Sequence, residues 1–339
     1  MKVLYAIQGT GNGHLSRARH IIPLLMQRDI ELDLLVSGIQ ADVALPYPIK
    51  YRFKGLSFIF GKKGGVALWK TYLKANTTRL LREIQSLPVT EYDLVINDFE
   101  PISAWACRGT KVPCISFSHQ AAVLASNAPQ PSTNDRLGKF ILKNYAPTDK
   151  GFGLHFSTYD PFTFRPIIRQ EIRNVFNTPS KNHYTVYLPS YSDAKIIKVL
   201  SPIKSVKWEV FSKHSKEERV FKNITIKPIQ NKAFIKSLAT CKGVLCGAGF
   251  ETPAEALFLG KKLLVIPMKS QYEQQCNAAA LKEMGVPVLK SLKKKHQPKI
   301  DKWLRNKQRI LVHYPEITDK ILDAVLSEAK VGKSFAKVS

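Results

Sequence analysis

The sequence predicts an α/β protein with two Rossmann-like parallel-sheet domains that face each other across a cleft. Short apolar runs alternate with helical patterns in both halves of the 339-residue chain, which is typical of parallel sheets. Each half also contains a glycine-rich turn that leads a strand into a helix. A chain of this length accommodates two domains of ordinary size. We place the first domain at 1–160, the second at 161–315, and a closing helix with a flexible tail at 316–339.

The first turn follows a strand predicted at Lys2–Ile7 and contains Gly9, Gly11 and Gly13. The spacing is not G-x-G-x-x-G, and no acidic residue closes the next strand, so a dinucleotide site is not predicted. A tight turn without a ligand is one alternative. His14 ends the turn where the next helix is expected to begin. The helix dipole disfavours its imidazolium there, so the ring can act as a base or merely cap the helix.

Polar residues also follow two later strands of the predicted first sheet. The strand at Tyr92–Asn97 delivers Asp98 and Glu100, and the strand at Pro113–Phe117 delivers His119 and its neighbours Ser118 and Gln120. Open α/β sheets bind ligands at the carboxyl ends of their strands. The sequence therefore places His14, Asp98 and His119 on one rim of the sheet.

The second turn lies in the most informative stretch of the chain, residues 243–286. A short strand runs into Gly247, Ala248 and Gly249, and a helix is expected to follow. Thr252 is predicted to cap this helix, with Glu255 near its positive dipole end. A glycine turn that opens a helix presents backbone N–H groups to an anion. The stretch therefore predicts a site for a phosphate-bearing ligand.

The formal net charge of +26 indicates an anionic partner. Nucleic acid, an anionic membrane surface and phosphorylated small molecules all fit that charge. No nucleic-acid-binding module or aromatic stacking motif is recognisable, so nucleic acid is not expected. The sequence has no run of about 18 apolar residues and begins without a signal-peptide pattern, which predicts a cytoplasmic protein. The five cysteines form no C-x-x-C pair and are expected to be reduced, buried thiols.

Two further segments carry concentrated positive charge. Gly61–Ser86 predicts a basic amphipathic helix, which fits either an anionic membrane surface or the domain core. Its apolar positions at helical spacing are Val66, Trp69, Leu73, Leu80 and Ile84. Lys290–Arg309 is strongly basic and is predicted to be a solvated face.

The two-domain pattern, the loop Gly9–His14 and the stretch Gly247–Ala278 together resemble the GT-B glycosyltransferases. Within this group, the sequence resembles the MurG, diacylglycerol galactosyltransferase and plant-type UDP-glycosyltransferase families. The resemblance covers nearly the whole chain, and its second motif is the more specific. It implies transfer of a sugar from a nucleotide sugar, which is a substrate and not a cofactor. No D-x-D sequence occurs, which agrees with chemistry that uses no metal.

The resemblance assigns the donor site to the second domain. The turn Gly247, Ala248 and Gly249, with Thr252 at the helix start, matches the segment that holds the donor diphosphate. Glu255 matches the acid that receives the ribose hydroxyls, with Glu251 as an alternative. The amides that match the donor-sugar segment are Gln274, Gln275 and Asn277. Amides suit this task because sugar hydroxyls both donate and accept hydrogen bonds.

The resemblance assigns the acceptor side to the first domain. His14 matches the general base, and Asp98 resembles the aspartate that pairs with it. Residues expected to line the acceptor site are Gly11, Asn12, Gly13, His119 and Gln120. Asn12 is an extra residue relative to the MurG pattern, so the direction of His14 is open.

The implied activity is inverting transfer of a hexose, most simply from a UDP-sugar, to an acceptor hydroxyl. The positive charge favours a lipid-linked or cell-envelope glycan acceptor on the inner membrane face, where the protein would bind peripherally. A UDP-N-acetylglucosamine 2-epimerase on the same fold is the alternative. That enzyme would consume its substrate without an acceptor.

Overall fold

The computed structural model describes residues 1–38, 45–56, 77–132 and 135–335. The first half of the chain forms a parallel sheet in the order β3-β2-β1-β4-β5-β6-β7. Its strands are β1 Lys2–Gln8, β2 Glu31–Ser37, β3 Tyr51–Phe53, β4 Leu94–Asp98, β5 Cys114–Ser118, β6 Lys150–Leu154 and β7 Thr163–Phe164. The chain order reverses between β1 and β4, and such a switch point is where open α/β sheets bind ligands.

Helices accompany this sheet on both faces. They are α1 Asn12–Met26, α2 Thr77–Ser86, α3 Pro101–Cys107, α4 His119–Val123 and α5 Arg136–Tyr145, with a 3-10 turn at Val89–Glu91. Of the basic helix predicted at Gly61–Ser86, the structure describes only Thr77–Ser86, and the rest lies outside the described residues. A short helix, α6 Gln170–Arg173, leads into the second half.

The second half forms another sheet, in the order β10-β11-β9-β8-β12-β13. Its strands are β8 His183–Tyr187, β9 Lys207–Ser212, β10 Arg219–Phe221, β11 Ile224–Pro228, β12 Gly243–Gly247 and β13 Lys262–Ile266. All pairs are parallel except β10 with β11. The switch point of this sheet lies between β8 and β12, so the predicted donor turn is at the expected position.

The helices of the second half begin with α7 Asp193–Leu200. The others are α8 Asn231–Thr240, α9 Glu251–Phe258, α10 Tyr272–Glu283, α11 Gln297–Arg305 and α12 Thr318–Phe335, with a 3-10 turn at Lys294–His296. The last helix packs back onto the first domain against α1, β4 and β5. Its buried face includes Ile321, Leu322 and Val325. The helix also extends to Phe335, which includes positions where the sequence predicts a flexible tail.

The predicted fold class, two Rossmann-like parallel-sheet domains, is confirmed. Two local predictions differ from the structure. The sequence predicts the last strand of the first domain at Gly153–Ser157 and a linker at Thr158–Pro166. In the structure β6 ends at Leu154, and the two-residue strand β7 lies within the predicted linker. The antiparallel strand β10 is not predicted, because its three residues are all exposed and show no apolar run. All five cysteines are free and buried, as predicted.

Candidate active site

The loop after β1 brings His14 to the switch point of the first sheet. The loop packs closely on β2, since a Cβ on Gly9 would lie 2.9 Å from the carbonyl oxygen of Ser37. The sequence predicts that this helix begins at about Leu15, but α1 begins at Asn12, so His14 lies in its first turn. The side chain of His14 is 15% exposed. The ring is therefore held in place but still reachable.

His14 is paired with Asp98, the last residue of β4. Its Nδ1 lies 2.9 Å from Asp98 Oδ1. An ionised carboxylate only accepts, so Nδ1 donates and Nε2 is left as the acceptor of a proton. Burial opposes ionisation of Asp98, but the neighbouring Arg17 and His14 outweigh it and hold the pKa of Asp98 below its usual range. Phe99 follows with φ of 57°, a sparsely populated conformation that is frequent at functional sites.

Arg17 links this pair to the second domain. Its Nη2 lies 2.6 and 2.8 Å from the two carboxylate oxygens of Asp98, and its Nη1 donates to Glu251 of helix α9. Arg17 is only 4% exposed. Arg17 is not among the site residues predicted from the sequence. The available signal was its position three residues after His14, which places both side chains on one face of α1.

The predicted diphosphate turn opens directly onto the cleft. Helix α9 begins at Glu251, and Phe250 at its N-cap position has helical φ and ψ values of −93° and −55°. No side chain in the described part of the chain caps the helix, so the prediction that Thr252 is the capping residue is wrong. No atom of the described residues lies within 4 Å of a Cβ placed on Gly249. The turn thus offers uncapped N–H groups and open space, as an anion site requires.

Glu255, the predicted ribose acid, is held by Arg169. Its Oε1 accepts from Arg169 Nε at 2.6 Å and its Oε2 from Nη2 at 3.2 Å. Arg169 also donates to Asn231 at 2.7 Å. Each carboxylate oxygen has a second lone pair, so the fixed carboxylate can still receive a hydroxyl. No local pattern indicates a role for Arg169, which precedes Glu255 by 86 residues.

A cavity of about 450 Å³ separates the two halves of the site. Asn12, Gly13 and Ser16 line it from the first domain, while Gly249 and Glu255 line it from the second. Its volume lies within the usual range for ligand pockets, about 300–1,000 Å³. His14 does not line the cavity itself, but the preceding residue does. The cavity therefore joins the predicted acceptor side to the predicted diphosphate turn.

The predicted donor-sugar amides lie beside this turn rather than in the cavity lining. Gln274 Oε1 accepts from the backbone N–H of Met268 at 2.9 Å, and Gln275 Nε2 donates to the carbonyl of Met268 at 2.9 Å. The third amide, Asn277, donates to the carbonyl of Ala248 at 3.1 Å. All three side chains therefore shape the turn and its neighbouring loop, and contact with a sugar remains a prediction.

The predicted acceptor residues His119 and Gln120 connect the two domains. His119 Nε2 lies 2.7 Å from Asn277 Oδ1, and its ring stacks on Phe250 with centroids 4.0 Å apart. Gln120 donates to Glu273 at 3.0 Å. His119 and Gln120 are 2% and 4% exposed. Both residues thus lie at the expected rim, where they bind protein groups of the other domain.

Comparison with known proteins agrees with this geometry. The profile of the glycosyl transferase family 1 matches residues 1–307. The chain belongs to this family. As a member of glycosyl transferase family 1 it is a glycosyltransferase, and the predicted resemblance is confirmed. No curated protein matches the chain in sequence.

Solved structures similar to this glycosyltransferase are GT-B enzymes. Phytolacca americana UGT2, in complex with UDP-2fluoro-glucose and pterostilbene, has a TM-score of 0.57 at 13% identity, covering 97% of this chain and 93% of its own. The glycosyltransferase SsfS6 of Streptomyces sp. SF2575, in complex with thymidine diphosphate, has a TM-score of 0.56 at 13% identity and 99% coverage of both chains. The glycotransferase of kitacinnamycin has a TM-score of 0.57 at 12% identity, covering 98% and 95%.

The centre of this glycosyltransferase holds more carboxyl groups than guanidinium groups. Among the described residues, Asp98, Glu251 and Glu255 form their arginine ion pairs with Arg17 and Arg169. Burial is the main reason that the pKa of Glu251 rises from 4.5 to about 7. The attraction of Arg17 opposes this rise, and the neighbouring Glu255 and Asp98 add to it. One of the three carboxyl groups thus changes its charge near neutral pH.

This raised pKa predicts a pH-dependent stability that is specific to Glu251. A pKa above the ordinary value means that folding favours the protonated acid. The contribution of Glu251 to the free energy of unfolding is therefore full below about pH 4.5 and is lost as pH rises through 7. From pH 4.5 to 8, wild type should lose about 3 kcal/mol of unfolding free energy relative to Glu251→Gln. Urea denaturation of both proteins at both pH values measures this difference. Parallel pH profiles of the two proteins would contradict it.

Proposed function

We propose that this glycosyltransferase transfers a sugar from a nucleotide diphosphate sugar, most simply a UDP-sugar, to an acceptor hydroxyl with inversion. The observation that carries the proposal is the His14–Asp98 pair, 2.9 Å apart, beside a cavity whose opposite wall is the turn at Gly249. One wall supplies a base and the other an anion site. Two similar structures contain a nucleoside diphosphate or its sugar derivative, which supports this donor class.

The proposed reaction is a direct displacement. His14 Nε2 takes the proton of the acceptor hydroxyl while its oxygen attacks the anomeric carbon. The bond from that carbon to the diphosphate breaks on the opposite face, and the nucleotide diphosphate leaves with the electron pair. Asp98 stabilises the imidazolium that forms. The N–H groups of the turn Gly247–Gly249 and the start of α9 stabilise the leaving group without a metal.

The second domain supports the donor through several groups. Glu255, oriented by Arg169, would receive the ribose hydroxyls. Tyr187 and Phe234 line the cavity and offer aromatic faces for the base. Gln274 retains its amide N–H groups and Gln275 its amide oxygen, so both can contact the sugar while they hold Met268.

The acceptor we propose is a lipid-linked or cell-envelope glycan, reached by a cytoplasmic protein bound peripherally to an anionic membrane. The net charge of +26 supports such a surface. No helix among the described residues is both long and apolar enough to span a bilayer. A thermal-shift screen of nucleotide sugars, followed by transfer assays with lipid-linked and soluble acceptors, tests the proposal. Consumption of UDP-N-acetylglucosamine without any acceptor would favour the epimerase instead.

Glu255→Gln tests the ribose assignment. Loss of the carboxylate removes a charge-assisted hydrogen bond, so the Kd of the donor should rise about tenfold or more. Calorimetry with UDP-sugar, well below the Tm of the variant, measures this change. Glu283→Gln is the matched control, because Glu283 is exposed on α10, and it should bind the donor as wild type does. An unchanged Kd in Glu255→Gln would refute the ribose assignment.

A further inference from the structure

We propose that helix α5 is the surface through which this glycosyltransferase docks on an anionic membrane. This inference rests on the proposed function in one respect: it takes the acceptor to be linked to a membrane. The helix is Arg136–Tyr145, with the sequence RLGKFILKNY. It lies far in the chain from the segment 61–76, where the sequence predicts a basic helix that the structure does not describe.

The inner face of α5 is fixed to both domains. Tyr145 receives a hydrogen bond from Gln8 at 2.6 Å and donates to the carbonyl of Leu56 at 2.8 Å. A Cβ on Gly138 would lie 2.7 Å from Cβ of Tyr272 in the second domain, so only glycine permits this close approach. Leu142 is buried in the same cluster. The helix is therefore rigidly seated, and its orientation is determined.

The outer face of α5 combines apolar and positively charged side chains. Phe140 is 65% exposed and Leu137 is 49% exposed. Arg136, Phe140 and Lys143 follow one another at i, i+4 and i+7, so they form a single stripe along the helix. Lys139 is exposed beside this stripe. Phe140 thus projects outward with cations around it.

No acidic side chain among the described residues forms an ion pair with these cations. Neither Arg136, Lys139 nor Lys143 forms an ion pair with a described residue, and α5 itself contains no acidic residue. The adjacent Asp135 is occupied as the helix cap, since it accepts from the N–H of Gly138 at 2.8 Å. The outer face therefore carries three cations that form no ion pair with a described residue, next to the single carboxylate of Asp135.

This pattern fits the headgroup region of an anionic bilayer. Interfacial helices place aromatic and leucine side chains at the acyl boundary and lysine and arginine among the headgroups. The flexible stems of the cations let the charges reach outward while Phe140 enters the apolar layer. Two apolar side chains form too small a patch for a stable protein–protein interface, which buries about 800 Å² on each partner. Charge complementarity thus selects an anionic lipid surface.

Docking through α5 would bring the active site to the membrane surface. Gln8, which contacts Tyr145, is the last residue of β1, and the loop that follows it carries His14. A helix with its side chains is about 10 Å wide, so the reactive rim lies roughly that far behind the docked face. A lipid-linked acceptor needs to extend only a short distance from the bilayer to reach it.

Vesicle binding by the full chain tests this surface. The probes are vesicles of equal parts phosphatidylglycerol and phosphatidylcholine, compared with phosphatidylcholine alone, in a sedimentation assay. The variant Arg136→Glu with Lys139→Glu and Lys143→Glu should bind anionic vesicles on the order of a hundredfold more weakly, because each cation contributes about fivefold. Phe140→Ser should weaken binding about fivefold. Both changes lie on an exposed face, and thermal unfolding verifies that the variants fold.

Matched controls distinguish the effect of the outer face of α5 from the effect of positive charge elsewhere on the protein. Lys294→Glu with Lys295→Glu and Lys299→Glu removes the same charge from exposed positions of the second domain, and Phe221→Ser removes an aromatic side chain that is 44% exposed. Both controls should bind vesicles nearly as wild type does. Equal losses in the controls and in the α5 variants would overturn the proposal. So would equal binding to neutral vesicles, or self-association of wild type that Phe140→Ser abolishes.

Failure of the docking proposal can be distinguished from failure of the proposed function. Donor binding, measured by thermal shift with UDP-sugar, should be unchanged in Phe140→Ser because Phe140 is not among the residues that line the cavity. Loss of vesicle binding with normal donor binding supports the docking surface. Normal vesicle binding in a protein that binds no nucleotide sugar would instead refute the donor assignment alone.

Discussion

His14→Ala is expected to reduce sugar transfer by a factor of about 10² to 10⁴ while donor binding persists. The range is the usual contribution of a positioned general base. The imidazole is 2.9 Å from Asp98, and its other nitrogen is left to take the acceptor proton. Donor binding should persist because the proposed anion site lies in the second domain. Transfer rates with saturating donor, together with calorimetry of UDP-sugar, separate these two effects.

His20→Ala is the matched control for this prediction. His20 lies on the same helix and contacts Glu316 at 3.4 Å, away from Asp98. Its loss should affect stability and leave the transfer rate near that of wild type. Asp98→Asn should impair transfer as well, because a neutral amide stabilises the imidazolium less than a carboxylate does. If His14→Ala transfers sugar at the wild-type rate, another group is the base.

The sequence was sufficient for the architecture because buried parallel strands are apolar throughout. Lys262–Ile266 is one such strand, and the structure places it at the edge of the second sheet. Its apolar run was recognisable without any partner. Two strands were not predicted. They are Thr163–Phe164, with two residues, and Arg219–Phe221, with three. Such short strands exist only because a neighbouring strand supplies their hydrogen bonds.

The candidate site was predictable only where a local pattern carries the chemistry. His14 and the turn Gly247–Gly249 follow strands directly, so their position on the rim follows from topology. Arg17 and Arg169 are two of 52 basic residues in the chain. They differ from the other basic residues in the carboxylates that they contact in the folded protein. These contacts depend on tertiary packing and not on sequence spacing, so they could not be predicted.

The cap prediction at Thr252 illustrates the same limit. A hydroxyl before a proline is a typical helix start, and the local sequence favours it. In the structure Phe250 packs against His119 of the first domain, and its backbone is already helical. The helix therefore begins earlier, at Glu251. This start places the Glu251 carboxylate within reach of Arg17.

Arg17→Met should lower the free energy of unfolding by about 3–5 kcal/mol. Breaking a buried ion pair on one side leaves an uncompensated charge, and Asp98 is fully buried. The substitution also releases Glu251, so the two domains lose a direct ionic link. Urea denaturation at pH 7.5 measures the loss. Arg219→Met is the control, because the Arg219 side chain is 70% exposed and its ion pair among the described residues is with the similarly exposed Glu217, so no measurable change is expected.

Arg17→Lys distinguishes a charge from the specific bridging geometry. An ammonium group is compact and cannot contact both oxygens of Asp98 and Glu251 in the manner of a guanidinium fork. The Arg17→Lys variant should therefore be more stable than Arg17→Met, but its transfer rate should remain well below that of wild type. In a double-mutant cycle, Arg17→Met and Glu251→Gln should show a coupling of about 1–3 kcal/mol. Additive effects would mean that Arg17 does not couple the base of the first domain to the donor turn of the second.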